Sequence, residues 1–328
     1  MLQINEGFTE KMKRLDMSQI ITVTFNPCID KSAIVSQLIP EKKLSCSEPF
    51  FEPGGGGINV ARAIKKLGGE ATAIYPAGGY TGKFFNGLLA REQIPSIIIQ
   101  AENPLRENVI VLEESSNKQF RFGYPGAKLS DREWEQCVNA IDKIADAEFL
   151  IASGSLPEGV PDDIFARLAI ISKKKKFKLI VDTSKEALKH AANEGVYMLK
   201  PNLTELSSLL EKKELSLDEV PAAGKEIITK KFCEVLLVSL GENGAMLFTK
   251  DKALKVSSPK VEKKSTVGAG DSMVAGFVLS LSQGKIFEDA LRYGVACGTA
   301  ATMNSGTELC NKKDADALFQ RIMIEKKN

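Results

Sequence analysis

The sequence predicts an α/β protein: a mostly parallel central sheet with helices on both faces, plus a small β-sheet lid. Three observations predict it. Short apolar runs alternate with longer stretches of helical period from residue 20 onward, which means βαβ crossovers and a sheet covered on both sides. Two early segments, 31–51 and 106–122, break that rhythm and fit no βαβ unit. Two glycine-rich stretches each open a helix, at 53–62 and 265–272.

The elements follow in order. The run 20–25 is apolar and β-branched, a buried strand. After the excursion at 31–51, a helix over 58–67 ends at Gly68-Gly69, a suitable C-cap. Strands over 71–77 and 96–100 come next. A hairpin follows, its arms 109–112 and 119–122 flanking the polar turn Ser115-Ser116-Asn117. Helices over 131–144 and 162–173 alternate with strands 148–153 and 179–183, the lysines 173–176 forming a solvated helix end. Strand 196–199 leads into helix 203–210, and strand 234–239 into two short strands, 245–248 and 254–257. Helices over 271–282, 287–303 and 313–324 close the chain. Residues 1–19 mix both charges without an apolar core and read as a flexible N-terminal extension, not a signal peptide. Residues 20–328 then form one domain, with lid segments at about 31–52 and 105–124.

Composition excludes several classes. Lys and Arg total 44 against 42 Asp and Glu, so no basic excess marks a nucleic-acid partner. No stretch approaches 18 uninterrupted apolar residues, so no membrane span is expected. The single histidine, His190, leaves little room for a Ser-His-Asp triad or a histidine-rich zinc site. The six cysteines (28, 46, 137, 233, 297, 310) show no C-x-x-C spacing and are too sparse for a disulfide scaffold. They read as reduced, mostly buried residues of a cytoplasmic protein.

Four motifs carry the chemistry. The first is Pro53-Gly54-Gly55-Gly56-Gly57-Ile58-Asn59-Val60-Ala61-Arg62. Bare backbone beside a positive helix end suits a polar or anionic ligand. The competing reading is a turn that lets strand and helix pack. The second is Ser265-Thr266-Val267-Gly268-Ala269-Gly270-Asp271-Ser272. Amides of Gly268, Ala269 and Gly270 would stabilise developing negative charge while Asp271 takes a proton, the two functions needed when a hydroxyl attacks a phosphoryl group. The competing reading of Asp271 is a helix N-cap. The third is Lys200-Pro201-Asn202-Leu203-Thr204-Glu205 at a strand end. Asn202 and Glu205 would orient a hydrated Mg²⁺, or form a capping box, or both. The fourth is Ser239-Leu240-Gly241-Glu242-Asn243-Gly244, whose small residues would let a nucleotide approach, unless a hairpin turn explains them. A P-loop and a dinucleotide fingerprint are both absent from the sequence.

These motifs, in this order and with Pro76-Ala77-Gly78-Gly79 and Ser153-Gly154-Ser155-Leu156-Pro157 between them, resemble the PfkB (ribokinase-like) family of carbohydrate kinases over about residues 20–319. The resemblance implies a ribokinase-like fold and ATP-dependent phosphorylation of fructose 6-phosphate at its 1-hydroxyl, giving fructose 1,6-bisphosphate. Tagatose-6-phosphate kinase and 1-phosphofructokinase are the alternatives within the class; those enzymes usually carry Lys in the glycine run, where this chain has Gly56. A sugar-phosphate sensor is the non-enzymatic alternative. By this resemblance Asp271 is the catalytic base and Gly268, Ala269 and Gly270 form the anion hole. Asp30, Gly55, Gly56, Asn59 and Ser155 meet the sugar, and Lys43 and Arg106 its phosphate. Lys200, Asn202, Ser239, Gly241, Gly244 and Lys263 line the ATP site, with Glu205 acting on Mg²⁺ through water. Ser265, Val267, Ala301, Asn304, Gly306 and Glu308 match a monovalent-cation (K⁺) site, Glu308 standing where a basic residue is expected. The lid implies a homodimer.

Overall fold

The structure, a computed structural model, describes residues 19–323, 325 and 326. The extension expected over 1–19 therefore lies, except for Gln19, outside the described residues. Ten strands form one sheet: β1 (Ile20–Val23), β4 (Thr72–Gly78), β5 (Ser96–Ala101), β8 (Phe149–Ser153), β9 (Lys178–Asp182), β10 (Val196–Leu199), β11 (Cys233–Ser239), β12 (Ala245–Phe248), β13 (Ala253–Val256) and β14 (Glu325–Lys326). Their order is β14-β13-β12-β11-β10-β9-β8-β1-β4-β5. The seven strands from β11 to β5 pair in parallel, while β12, β13 and β14 add an antiparallel edge.

Period-two alternation divides the sheet's side chains between two cores. Ile20, Phe149 and Ile151 enter one, packed under α1 (Gly56–Lys66), α2 (Gly79–Arg91), α8 (Ala269–Ser282), α9 (Phe287–Thr302) and α10 (Lys312–Phe319). Ile21, Leu150 and Ala152 enter the other, under α3 (Asp131–Asp142), α4 (Ile164–Lys175), α5 (Lys185–Glu194), α6 (Leu203–Leu209) and α7 (Val220–Thr229). Helices on both faces explain why β1 and β8 are wholly buried and apolar except for Thr22 and Ser153.

A second sheet has the order β3-β2-β6-β7, made of β2 (Cys28–Val35), β3 (Phe50–Gly54), β6 (Arg106–Glu113) and β7 (Lys118–Phe122). The expected hairpin is β6–β7, antiparallel. The sheet extends past 31–52, because β2 begins at Cys28 and β3 runs into the glycine motif at Gly54. Asp30 is the third residue of β2.

Three helices, α2, α5 and α7, were not singled out in the sequence. α2 carries Gly79, Gly82 and Gly87, which weaken helical preference, and α7 has Pro221 as its second residue. The last helix stops at Phe319 rather than 324. Arg292 explains the stop: Nη2 donates to the Phe319 carbonyl and Nε to that of Ile322, satisfying carbonyls that a longer helix would use.

Candidate active site

The glycine motifs meet at the carboxyl ends of the parallel strands, where open α/β sheets hold their ligands. Asn59 Nδ2, in the first turn of α1, donates to Asp271 Oδ2 in the first turn of α8 at 3.0 Å. One bond thus joins residues 212 positions apart, and it places a carboxylate at the glycine run.

The two motifs have different reasons for their glycines. Gly268 caps α8 with φ +69°, a left-handed conformation, and a Cβ there would sit 2.5 Å from Leu309 Cδ2. Gly56 is a close approach: a Cβ would lie 2.2 Å from Ser153 Oγ and 2.7 Å from the Gly154 nitrogen. The packing reading of the glycine run therefore holds whatever ligand it meets. Thr24 supports the same turn, its Oγ1 accepting from the Ile58 N–H at 3.0 Å.

Asp271 is pushed up to about 7. Burial is the main cause; the nearby Asp182 adds to it, while the Asn59 hydrogen bond and the Lys200 charge oppose it. Lys200 is buried and ion-paired with Asp182 at 3.1 Å. Burial alone would pull its ammonium down, but the Asp182 charge and hydrogen bond hold it above the ordinary lysine value. A Cβ on Gly270 would be 3.5 Å from Lys200 Nζ, so a permanent cation stands beside the amides that open α8.

On the side of the second sheet, Asp30 is buried and its Oδ1 accepts from Asn108 Nδ2 at 2.9 Å and from the Cys28 thiol at 3.4 Å. Burial raises its pKa, and these donors oppose the rise. Gly54 makes room for it, since a Cβ would fall 2.4 Å from Asp30 Oδ2. Arg106 begins β6; Nη1 donates to the Tyr124 carbonyl and Nη2 to that of Asn26, both at 3.1 Å, while the buried Nε has no partner among the described residues. Ser155 Oγ accepts from Asn26 Nδ2 at 3.0 Å. Gly55 adjoins Thr24 and Pro27. Lys43 is exposed between β2 and β3, and no described contact ties it to this group.

The other arm of the cleft follows β10 and β11. Asn202 and Glu205 form the capping box: Oδ1 accepts from the Glu205 N–H at 2.9 Å, and Glu205 Oε2 from the Asn202 N–H at 2.8 Å. The remaining Glu205 oxygen and the Asn202 amide fit a magnesium ion that keeps most of its waters. Burial raises Glu205 above the usual carboxylate range. Ser239 lies alongside, bridged to Asn202. Gly241 has open space around it, whereas Gly244 is a hairpin requirement: a Cβ would meet the Val256 carbonyl. Lys263 is exposed.

The residues matched to a monovalent cation occupy two segments tied together. Ser265 Oγ donates to the Gly306 carbonyl at 2.7 Å and accepts from the Val267 N–H at 3.2 Å. Asn304 Nδ2 donates to the Leu309 carbonyl at 2.9 Å, and the carbonyl of Ala301 accepts from the Asn304 N–H. Glu308 turns outward, 3.7 Å from Lys66. The carbonyls of Ala301, Gly306 and Leu309 thus each accept a hydrogen bond within this pair of segments.

Sequence reasoning missed Asp182, Asn108 and Glu52. Asp182 ends β9 beside the start of the Lys200 motif, so its strand-end position was the available signal. Asn108 has no local signal, because it reaches Asp30 only through the β2–β6 register. Glu52 takes Arg62 Nη2 at 3.1 Å and the Thr307 hydroxyl, while Arg62 also forks onto Glu92 at 2.7 and 2.8 Å. That network links the segment before the glycine run to the loop after α9.

Fold and site together define a ribokinase-like sugar kinase. The model of the pfkB family carbohydrate kinases matches residues 23–314, and the chain belongs to that family. It is 42% identical over 304 residues to the ATP-dependent 6-phosphofructokinase isozyme 2 of Escherichia coli, covering 92% of this chain and 98% of the relative. The D-tagatose-1-phosphate kinase of Bacillus licheniformis is 32% identical, covering 91% and 97%. The crystal structure of phosphofructokinase-2 from Escherichia coli in complex with potassium superposes with a TM-score of 0.89 at 42% identity, over 93% of this chain and 99% of that one. The protein is a sugar-phosphate kinase.

Proposed function

We propose that the protein transfers the γ-phosphoryl group of ATP to the 1-hydroxyl of fructose 6-phosphate. The observation that supports the reading is the Asn59–Asp271 bond, which holds a buried carboxylate where both glycine motifs converge. The higher identity to a 6-phosphofructokinase than to a tagatose-phosphate kinase, and Gly56 in place of lysine, favour fructose 6-phosphate.

Asp30 accepts sugar hydroxyls through Oδ2, its other oxygen being held by Asn108 and Cys28. Gly55, Gly56, Asn59 and Ser155 complete that wall, and Arg106 and Lys43 meet the sugar phosphate. Asn59 holds Asp271 Oδ2, leaving Oδ1 to take the proton of the 1-hydroxyl. As that proton leaves, the O1–P bond forms and the bond from the γ-phosphorus to the ADP oxygen breaks; its electron pair stays with ADP. Amides of Gly268, Ala269 and Gly270 and the Lys200 ammonium face the charge that builds up, fixed in place beforehand. Asn202, Ser239, Gly241, Gly244 and Lys263 line the nucleotide. Bound Mg²⁺, held through water by Glu205, would neutralise phosphate charge. The segments around Ser265, Val267, Ala301, Asn304, Gly306 and Glu308 would hold a monovalent cation, as the potassium complex of the bacterial relative supports.

The second sheet acts as a lid, and Val109, Phe120 and Phe122 share its outward face, Phe122 being 49% exposed. We infer a homodimer through this lid; sedimentation at the mass of one chain would contradict it. Five of the six cysteines are buried and all are free, in keeping with a cytoplasmic protein.

A coupled assay with ATP tests the substrate directly. Fructose 6-phosphate is expected to give a kcat/KM at least about tenfold above tagatose 6-phosphate and fructose 1-phosphate, the scale that one or two altered sugar contacts produce. Preference for either rival would reassign the substrate.

A further inference from the structure

We propose that Arg121 is a catalytic residue: a cation that the second sheet brings to the phosphoryl group while it is being transferred. The inference rests on the reading that this group passes the loop 268–270.

Strand register supplies the first argument. Opposed residues of paired strands point to one face of a sheet. Asp30 opposes Asn108, Cys28 opposes Arg106, and Ser32 opposes Ile110, which in turn opposes Arg121. Arg121 therefore shares the face that carries Asp30 and Arg106, the face turned toward the cleft. Phe120 and Phe122, its neighbours in β7, take the opposite face.

Position supplies the second. Arg121 Nη2 donates to Thr266 Oγ1 at 3.2 Å, two residues before Gly268 and across 145 positions of sequence. Nε donates to Gln119 Oε1 at 2.9 Å. Nη1 has no partner among the described residues, and none of their ion pairs neutralises this guanidinium. Most exposed arginines are simply solvated. This one is anchored against the loop that opens α8, with a charged donor to spare.

Chemistry supplies the third. Charge spreads over the equatorial oxygens of the phosphoryl group as the O1–P bond forms and the bond to ADP breaks. The amides of 268–270 and Lys200 approach those oxygens from the main domain. Arg121 approaches from the lid, so its contact is complete only when the lid is down. The guanidinium neither takes nor gives a proton; that proton goes to Asp271. Its planar fork suits two phosphate oxygens at once.

The alternative is a latch, in which Arg121 closes the lid through Thr266 and touches no reacting atom. Steady-state kinetics of Arg121→Ala and Arg121→Lys, with Asp271→Asn alongside, separate the two. Arg121→Ala is expected to lower kcat about 10²–10³-fold, as loss of one transition-state donor does. KM for both substrates should stay within about threefold, Arg121→Lys should retain part of the rate, and added guanidinium ion should restore part of it to the alanine variant alone. A kcat within about threefold of the unsubstituted protein, or a loss confined to KM, would overturn the proposal in favour of the latch. Full activity of Asp271→Asn would instead overturn the reading of the loop beneath it. The side chain is exposed, so both Arg121 variants should fold, which their thermal midpoints check.

Discussion

Asp271→Asn is expected to lower kcat by at least about 10²–10⁴-fold, the usual contribution of a positioned general base. The substitution keeps shape and removes the group proposed to take the hydroxyl proton. Asn59 Nδ2 can still donate to the new amide oxygen across 3.0 Å, so the junction of α1 and α8 should survive. Lys200 keeps its partner Asp182 at 3.1 Å, and no new unpaired charge appears. KM for ATP should therefore change little, and the denaturation midpoint should stay close to that of the unsubstituted protein. Above about pH 7 stability should rise, because Asp271 resists ionisation in the fold. Activity near the unsubstituted level would show that the proton goes elsewhere.

Gly56→Ala is expected to damage both stability and turnover. The new Cβ would fall 2.2 Å from Ser153 Oγ, which can rotate, and 2.7 Å from the Gly154 nitrogen, which cannot. Overpacking of this kind costs about 1–3 kcal/mol. The strain also has a direction: it pushes α1 away from the end of β8. Asn59 stands three residues further along α1, so its bond to Asp271 should lengthen and kcat/KM should fall well beyond what lost stability explains. Denaturant unfolding and steady-state rates read the two effects separately. An alanine variant with unchanged midpoint and rate would show that the corner is looser than its geometry.

Local pattern made most of the fold legible. Apolar runs placed β8 through β11 within a residue or two, because strands buried on both faces need no long-range information to be seen. The second sheet was legible only as a break in that pattern. The pairing of β2 with β6 is parallel and brings Cys28 to Arg106, a contact that sequence spacing does not signal. For the same reason Asp271 and Asn59 stood out in their motifs, while Asn108, Asp182 and Arg121 did not. Each of these three acts on the site from an ordinary strand, and its role depends on which strand lies beside it. The capping box of Asn202 and Glu205 was legible because both its bonds are local.

The pH dependence of kcat/KM for the sugar phosphate tests the central claim most directly. Asp271 must be ionised to accept a proton, and its site holds it up at about 7. The rate should therefore fall on the acid side of about pH 7, approaching tenfold per pH unit, and level off above it. The substrate phosphate itself titrates near about 6, so Asn59→Ala supplies the control. Removing Asn59 takes away a donor that favours the ionised form, and the acid limb should move to higher pH. A profile with no acid limb near 7, or one that Asn59→Ala leaves in place, would contradict the account.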